Sequence, residues 1–276
     1  MASGTAEQIT RASKSNLALT FVALPRARRA DIAVFYGFCR FVDDLADEPG
    51  LATDERLAGL ERWRASLRTE QPGEPVLAGQ VRALIAKYAL PIEHFLEIIA
   101  GCEMDVRGTF YETWEELRLY CHRVASVVGL VSIEIFGYTD PGCKTYATEL
   151  GLALQLTNII RDVREDYANG GRIYLPRAEM DEFGYDVGEL ALATRNDAFL
   201  SLMEFQAARA HVFYNAARAA LPPADRRAMV AAEMMRAIYE TLLRKMERDG
   251  FRIFTRRYRL SRWEKVRCML GARFGW

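Results

Sequence analysis

Apolar residues recur along this chain at intervals of three and four rather than two, the spacing of one face of an α-helix. Alternating Val/Ile/Thr-rich runs are rare, while Ala/Leu/Arg/Glu segments are long. The pattern predicts helices at roughly 30–47, 54–68, 75–88, 91–105, 113–136, 143–168, 196–220 and 224–249. The breaks carry turn chemistry: "EPG" at 48–50, "QPGEP" at 71–75, "YTDPG" at 138–142, "NGGR" at 169–172 and "LPP" at 221–223. The stretch "ANGGRIYLP" (168–176) reads as a helix exit followed by an extended loop. Connections are short and no shift in composition marks a boundary, so one all-α domain over 1–276 is expected, with 1–12 disordered.

Composition narrows the function classes. Lys+Arg and Asp+Glu are both 37, so net charge is zero and no nucleic-acid partner is expected. Five widely spaced cysteines without a C-x-x-C suit a reducing cytoplasm and argue against a disulfide framework or a zinc site. "MASGTAEQIT" lacks the apolar core of a signal peptide. No apolar run approaches 18 residues, so no transmembrane helix is expected. Charge is uneven only at the end, where 250–276 belongs to a basic stretch from Arg248 to Arg267. That segment suits a solvated end, a dinucleotide, or peripheral contact with an anionic bilayer.

Two acidic pairs stand out against this background. Asp43 and Asp47, in "FCRFVDDLADE", are four apart and share a helix face, where like charges repel. Phe35, Phe38, Val42, Leu45 and Ala46 leave little of that helix free for water. In "LALQLTNIIRDVREDY", Gln155, Asn158, Asp162 and Asp166 form one polar stripe at i, i+3, i+7 and i+11 of an otherwise apolar helix. A buried Asn/Asp ladder without partners would cost several kcal/mol. Carboxylate and amide oxygens, with three scattered histidines, suit Mg²⁺. Because Mg²⁺ shares its shell with substrate phosphates, two facing pairs imply ions clamping a diphosphate. Arg40, Arg161, Arg172, Lys14 and Ser15 are candidates to grip that diphosphate.

These residues carry a resemblance. "FYGFCRFVDDLADE" (35–48), "GCEMDV…YCHRVASVVGLVSIEIFG" (101–137) and "LALQLTNIIRDVREDYANGGRIYLP" (152–176) resemble the squalene/phytoene synthase family, with "SKSN" (13–16) extending the likeness nearly end to end. Within that family, bacterial squalene and presqualene diphosphate synthases are the most similar. The resemblance implies an isoprenoid-synthase bundle with a central apolar cavity and up to three Mg²⁺ at its mouth. It assigns Asp43 and Asp47 to the first aspartate motif, and Asp162 and Asp166 to the second, with Gln155 and Asn158 lining the latter. Lys14, Ser15, Arg40 and Arg161 match diphosphate-binding positions. Tyr36 falls near the reacting carbons, Tyr120, Val124, Ala125 and Gly129 on a cavity-lining helix, and Tyr239 and Arg257 where the C-terminal part closes the site. "YANGGRIYLP" is one residue longer than the family's usual spacing, which bears on Arg172.

The implied reaction is head-to-head condensation of two prenyl diphosphates, farnesyl diphosphate giving presqualene diphosphate. Reduction to squalene by NADPH is left open by the sequence, because the family binds NADPH without a G-x-G-x-x-G unit. Tyr36 and Phe38 offer aromatic faces to a cation, with simple packing the plainer role for either. The alternatives are a phytoene synthase using geranylgeranyl diphosphate, a class I terpene cyclase, and a non-catalytic assembly factor. Hopanoid, sterol and carotenoid pathways are all compatible.

Overall fold

The computed structural model describes residues 20–48, 50–108 and 110–274. Among them there are helices and no strands. In chain order they are α1 (Arg26–Asp47), α2 (Thr53–Arg68), α3 (Ala78–Tyr88), α4 (Ile92–Val106), α5 (Trp114–Cys121) and α6 (Val127–Phe136). Then follow α7 (Gly142–Ala168), α8 (Arg177–Phe183), α9 (Val187–Ala191), α10 (Asp197–Ala220), α11 (Val230–Arg248) and α12 (Arg262–Phe274). The long helix α7 is central. It packs on α10, α6 and α11, while α1 meets α2, α3, α4 and α6. Burial along α7 is almost continuous, from Cys143 through Leu150, Leu156 and Ile160 to Val163, as a helix surrounded on several sides requires. In α1, Ile32, Phe35, Phe38, Val42 and Ala46 are buried at helical spacing.

Periodicity places most of these helices to within a few residues, and local chemistry explains the ends. Thr113 and Asn196 accept hydrogen bonds from Glu116 and Phe199 backbone N–H groups, capping α5 and α10. The region 224–249 begins as helix only at Val230, after a 3₁₀ turn at Pro223–Asp225. There Asp225 accepts hydrogen bonds from the Thr139 and Asp140 N–H groups and fastens the preceding loop.

Four features depart from expectation. The helix expected over 113–136 contains a π turn at His122–Ser126. Gly151 on α7 meets this turn so closely that a Cβ there would lie 2.5 Å from Ser126 Cα. Gly101 on α4 meets it from another side, where a Cβ would lie 2.6 Å from a Val124 methyl. Secondly, α8 and α9 are too short for a periodicity signal to resolve. Thirdly, the basic C-terminal segment is not merely a charged end. Phe251, Ile253, Phe254, Tyr258 and Leu260 are buried, and α12 follows, packed on α11. Trp114–Phe136 is long and apolar enough to cross a bilayer by length and composition, contrary to the expectation from apolar runs. Here Tyr120, Val124 and Val128 from this stretch face a cavity, and α6 packs on α7.

Candidate active site

A cavity of about 380 Å³ opens between the helices of the bundle. From α1 it is lined by Ile32, Tyr36, Arg40 and Asp43, and from α7 by Tyr146, Leu150, Gln155 and Asn158. The π turn contributes Val124 and Ala125, α6 contributes Gly129, and α11 contributes Met235 and Tyr239. Most of this wall is apolar, and polar groups concentrate at the end defined by Asp43, Asp105 and Asn158.

The remaining acids lie one to two turns further along the same helices. Asp47 follows Asp43 on α1, while Asp162 and Asp166 follow Asn158 on α7. A turn with positive φ at Gly170 (91°) and Gly171 (73°) reverses the chain after α7, a conformation glycine adopts without strain. It returns Arg172, whose N–H donates to the Asp166 carbonyl at 3.2 Å. The guanidinium of Arg172 then reaches Asp47 at 2.7 Å, joining the two acidic helices.

Each basic candidate in this region meets an acid. Arg40 contacts Asp43 at 3.1 Å and Asp44 at 2.5 Å. Arg161 makes a two-point contact with Asp162, its Nε at 2.7 Å, and hydrogen-bonds Tyr239. Arg257 pairs with Glu165 at 2.9 Å, beside the second acidic pair but outside the cavity wall. Asp166 forms no ion pair among the described residues. Burial pushes its carboxyl up to about 8, Asp162 and Asp105 push the same way, and Arg172 and Arg161 offset part of this. About half of the Asp43 side chain is accessible (52%), yet the surrounding protein desolvates it enough to raise its carboxyl to about 6, against the pull of Arg40.

Asp105, on α4, was not singled out by sequence. It lies where the two acidic pairs converge, close enough to be felt by Asp43 and Asp166 and itself to feel Asp47. Its carboxylate accepts from the Tyr174 hydroxyl at 2.7 Å and the Tyr120 hydroxyl at 3.0 Å. Burial pushes it up to about 6, although both hydroxyls and Arg172 act against the rise. The available signal was its spacing: Ile98, Cys102 and Asp105 fall at i, i+4 and i+7, and all three line the cavity. Tyr120 stacks on Tyr174, ring centres 5.1 Å apart.

Other assignments divide. Tyr36 faces the cavity with its ring edge-on to Phe21. Phe38 does not face it. Two residues on from Tyr36 it points to the opposite side of α1, fully buried against Trp63 and Phe95, and serves packing. His211 meets Glu247 at 2.9 Å, away from the cavity lining. Lys14 and Ser15 lie outside the described residues.

The donor set fits a divalent cation completed by phosphate. The Asn158 amide oxygen is buried without a hydrogen-bond partner among the described residues, beside mutually repelling carboxylates. No three carboxylate, imidazole or thiol groups among the described residues could hold an ion by themselves. An ion there would take further oxygens from water and from a phosphate ligand, as Mg²⁺ commonly does.

The family model for squalene/phytoene synthase matches residues 10–264. The chain belongs to the squalene/phytoene synthase family. These are prenyltransferases that work on prenyl diphosphates with a divalent metal. A phytoene synthase of Mycobacterium tuberculosis is 35% identical over 272 residues, covering 96% of this chain and 88% of its own. A presqualene diphosphate synthase of Zymomonas mobilis is 36% identical over 255 residues, covering 88% and 84%. Among solved structures, a ligand-bound dehydrosqualene synthase superposes with a TM-score of 0.86 at 27% identity, covering 98% of this chain and 94% of its own. A squalene synthase from Alicyclobacillus acidocaldarius superposes at 0.75 with 29% identity, covering 89% and 93%. The all-α isoprenoid-synthase architecture expected of a squalene/phytoene synthase is therefore the observed one.

Proposed function

We propose that the protein, acting as one domain, condenses two molecules of farnesyl diphosphate head to head into presqualene diphosphate. The observation that carries this reading is the convergence of the Asp43/Asp47 and Asp162/Asp166 helices at the polar end of one apolar cavity. A helix rises ~1.5 Å per residue, so α7 spans about 18 Å from Asn158 to Tyr146 at the far wall. With C–C bonds of ~1.5 Å, an extended farnesyl chain measures roughly 15 Å and a geranylgeranyl chain roughly 20 Å. A farnesyl chain lies within that span and a geranylgeranyl chain slightly exceeds it. The likeness to squalene and dehydrosqualene synthase structures also favours the farnesyl chain. The second reading, a phytoene synthase using geranylgeranyl diphosphate, is favoured by relatives of that name at comparable identity.

In this reading Asp43, Asp47, Asn158, Asp162 and Asp166 hold up to three Mg²⁺, with Asp105 supporting them. When bound, Mg²⁺ neutralises charge developing on the leaving diphosphate. Arg40, Arg161 and Arg172 turn from their carboxylate partners to phosphate oxygens, to which guanidinium groups bind bidentately. Lys14 and Ser15 join them, Gln155 helps orient Asn158, and Tyr239 positions Arg161. Arg257 covers the rim of the second motif. Tyr36 and Tyr120 stand beside the reacting carbons. The apolar wall keeps water from the allylic cation until the 2,3 double bond of the second substrate attacks it. Proton loss then closes the cyclopropane, with the released diphosphate as acceptor. Continuation to squalene requires a hydride from NADPH. We place the enzyme in the cytoplasm, with its basic C-terminal segment in peripheral contact with the membrane's inner face.

Substituting Asp43→Ala or Asp162→Ala tests the assignment. Each is expected to abolish turnover of farnesyl diphosphate with Mg²⁺ while circular dichroism stays unchanged. Retained turnover in either variant would remove that aspartate from the metal site, and no turnover by wild type would return the non-catalytic reading.

A further inference from the structure

We infer that α12 is an interfacial helix that docks the protein on an anionic lipid bilayer through Trp263, Val266 and Leu270. This deepens the peripheral contact proposed above and rests on it. The three residues lie at i, i+3 and i+7, one stripe along the helix. They are 83%, 44% and 49% exposed, in a protein whose other large apolar side chains are mostly buried. The opposite face is anchored. Cys268 touches Thr241 of α11 at 3.4 Å, and Glu264 receives Lys245 at 3.0 Å and the Ser261 N–H at 2.6 Å. The stripe is therefore fixed outward.

Charge identifies the occupant. On a helical projection Arg262 and Arg273 border the stripe on one side and Arg267 on the other, and all three are exposed. None of them forms an ion pair among the described residues. Elsewhere in the same segment Arg256 pairs with Asp249 and Arg257 with Glu165, while Arg252, Arg259 and Lys265 form no ion pair among the described residues. Unpaired positive charge therefore borders the exposed apolar residues and continues into the chain that precedes α12. Tryptophan favours the headgroup level of a bilayer, and arginine beside it favours anionic headgroups. An amphipathic helix with these two features lies in the interface with its apolar face shallowly buried. A second copy of the chain fits less well. A two-fold contact would bring the same cation-rimmed patch against itself. Three side chains also fall short of the roughly 800 Å² per partner of a stable interface.

The position suits the chemistry. α12 packs on α11, and α11 contributes Ala231, Ala232, Met235 and Tyr239 to the cavity. Docking through α12 sets the bilayer one helix away from the wall that receives a prenyl chain, which partitions into lipid.

Flotation of the full chain with vesicles tests this without any turnover, so its outcome is separate from that of the proposed reaction. Wild type is expected to float with 1:1 phosphatidylglycerol/phosphatidylcholine vesicles and at least tenfold less with pure phosphatidylcholine. Its tryptophan emission should shift to the blue on binding, and Trp263→Phe should remove that shift. W263S/V266S/L270S should abolish flotation. R262Q/R267Q/R273Q should weaken it by roughly fivefold per arginine, about a hundredfold together. These residues are exposed, so circular dichroism should show both variants folded. Absence of flotation by wild type, or equal flotation by either triple variant, would overturn the inference. So would a lipid-free wild-type dimer that W263S/V266S/L270S dissociates, because the face would then belong to a second copy.

Discussion

Asp166 gives the sharpest quantitative handle on the site, and Asp166→Asn is the perturbation. An acid whose carboxyl is raised in the fold takes up a proton on folding, so its ionised form costs stability. For Asp166, raised from 3.8 to about 8, that cost begins near pH 4, grows with rising pH, and levels off above about 8. At pH 7 roughly three pH units count, and at ~1.36 kcal/mol each the ceiling is about 4 kcal/mol. The side chain keeps some access to solvent, which screens its neighbours and lowers the figure to about 2 kcal/mol. Asparagine keeps the shape without the charge. In metal-free buffer the variant should therefore melt higher than wild type, by about 4 °C at pH 7–8 for a chain of this length. At pH 5 the same reasoning leaves under ~1 kcal/mol, so the offset should nearly close. Thermal melts in EDTA at pH 5, 6, 7 and 8 read both quantities. With Mg²⁺ and inorganic diphosphate added, wild type should gain stability and the variant less, since ligands that bind the folded state stabilise it. An Asp166→Asn protein that melts no higher, or whose offset ignores pH, would refute the electrostatic picture of the site.

Two further predictions concern the scaffold. Glu240, 4% exposed in its side chain, meets Arg218, Arg236 and Arg244. Glu240→Ala should cost about 1–3 kcal/mol in urea melts, because it removes three charge-assisted contacts to a buried carboxylate, although Arg236 keeps Glu233 and Arg218 and Arg244 reach water. Burial pushes the Glu240 carboxyl up, but Arg218, Arg244 and Arg236 outweigh it and hold the group below its usual range. Wild type should therefore keep this contribution above about pH 4 and lose it only at lower pH, whereas the variant lacks it throughout. Gly151→Ala places a methyl 2.5 Å from Ser126 Cα, so it should destabilise by about 1–3 kcal/mol and lower kcat through the displaced cavity wall. Differential scanning calorimetry with steady-state kinetics checks it.

Much of this molecule is written locally. The four-residue spacing of Asp43 and Asp47, and the stripe from Gln155 to Asp166, can be read from sequence because each lies on one long helix. So can the helices themselves, whose apolar periodicity survives into burial. What sequence could not supply depends on meetings between helices. Asp105 has no acid four residues away on α4, and only the approach of α1, α7 and Tyr174 brings it to the other aspartates. The π turn at His122–Ser126 coincides with the approach of two glycines from other helices, which no periodicity encodes. The pairing of Arg172 with Asp47 depends on a turn whose direction two glycines permit but do not announce. In α12 the density of arginines masked the apolar spacing of Trp263, Val266 and Leu270. Phe38 takes the plainer of its two roles and packs, because an aromatic residue beside an acidic pair need not face the same side of its helix.

The most direct test of the central proposal is the product profile by mass spectrometry. Purified protein is incubated with Mg²⁺ and either farnesyl or geranylgeranyl diphosphate, with and without NADPH. The expected result is a coupled product that retains one diphosphate, formed from farnesyl diphosphate without NADPH and absent in EDTA. Cyclised products from single substrate molecules, or no consumption of either diphosphate, would contradict it.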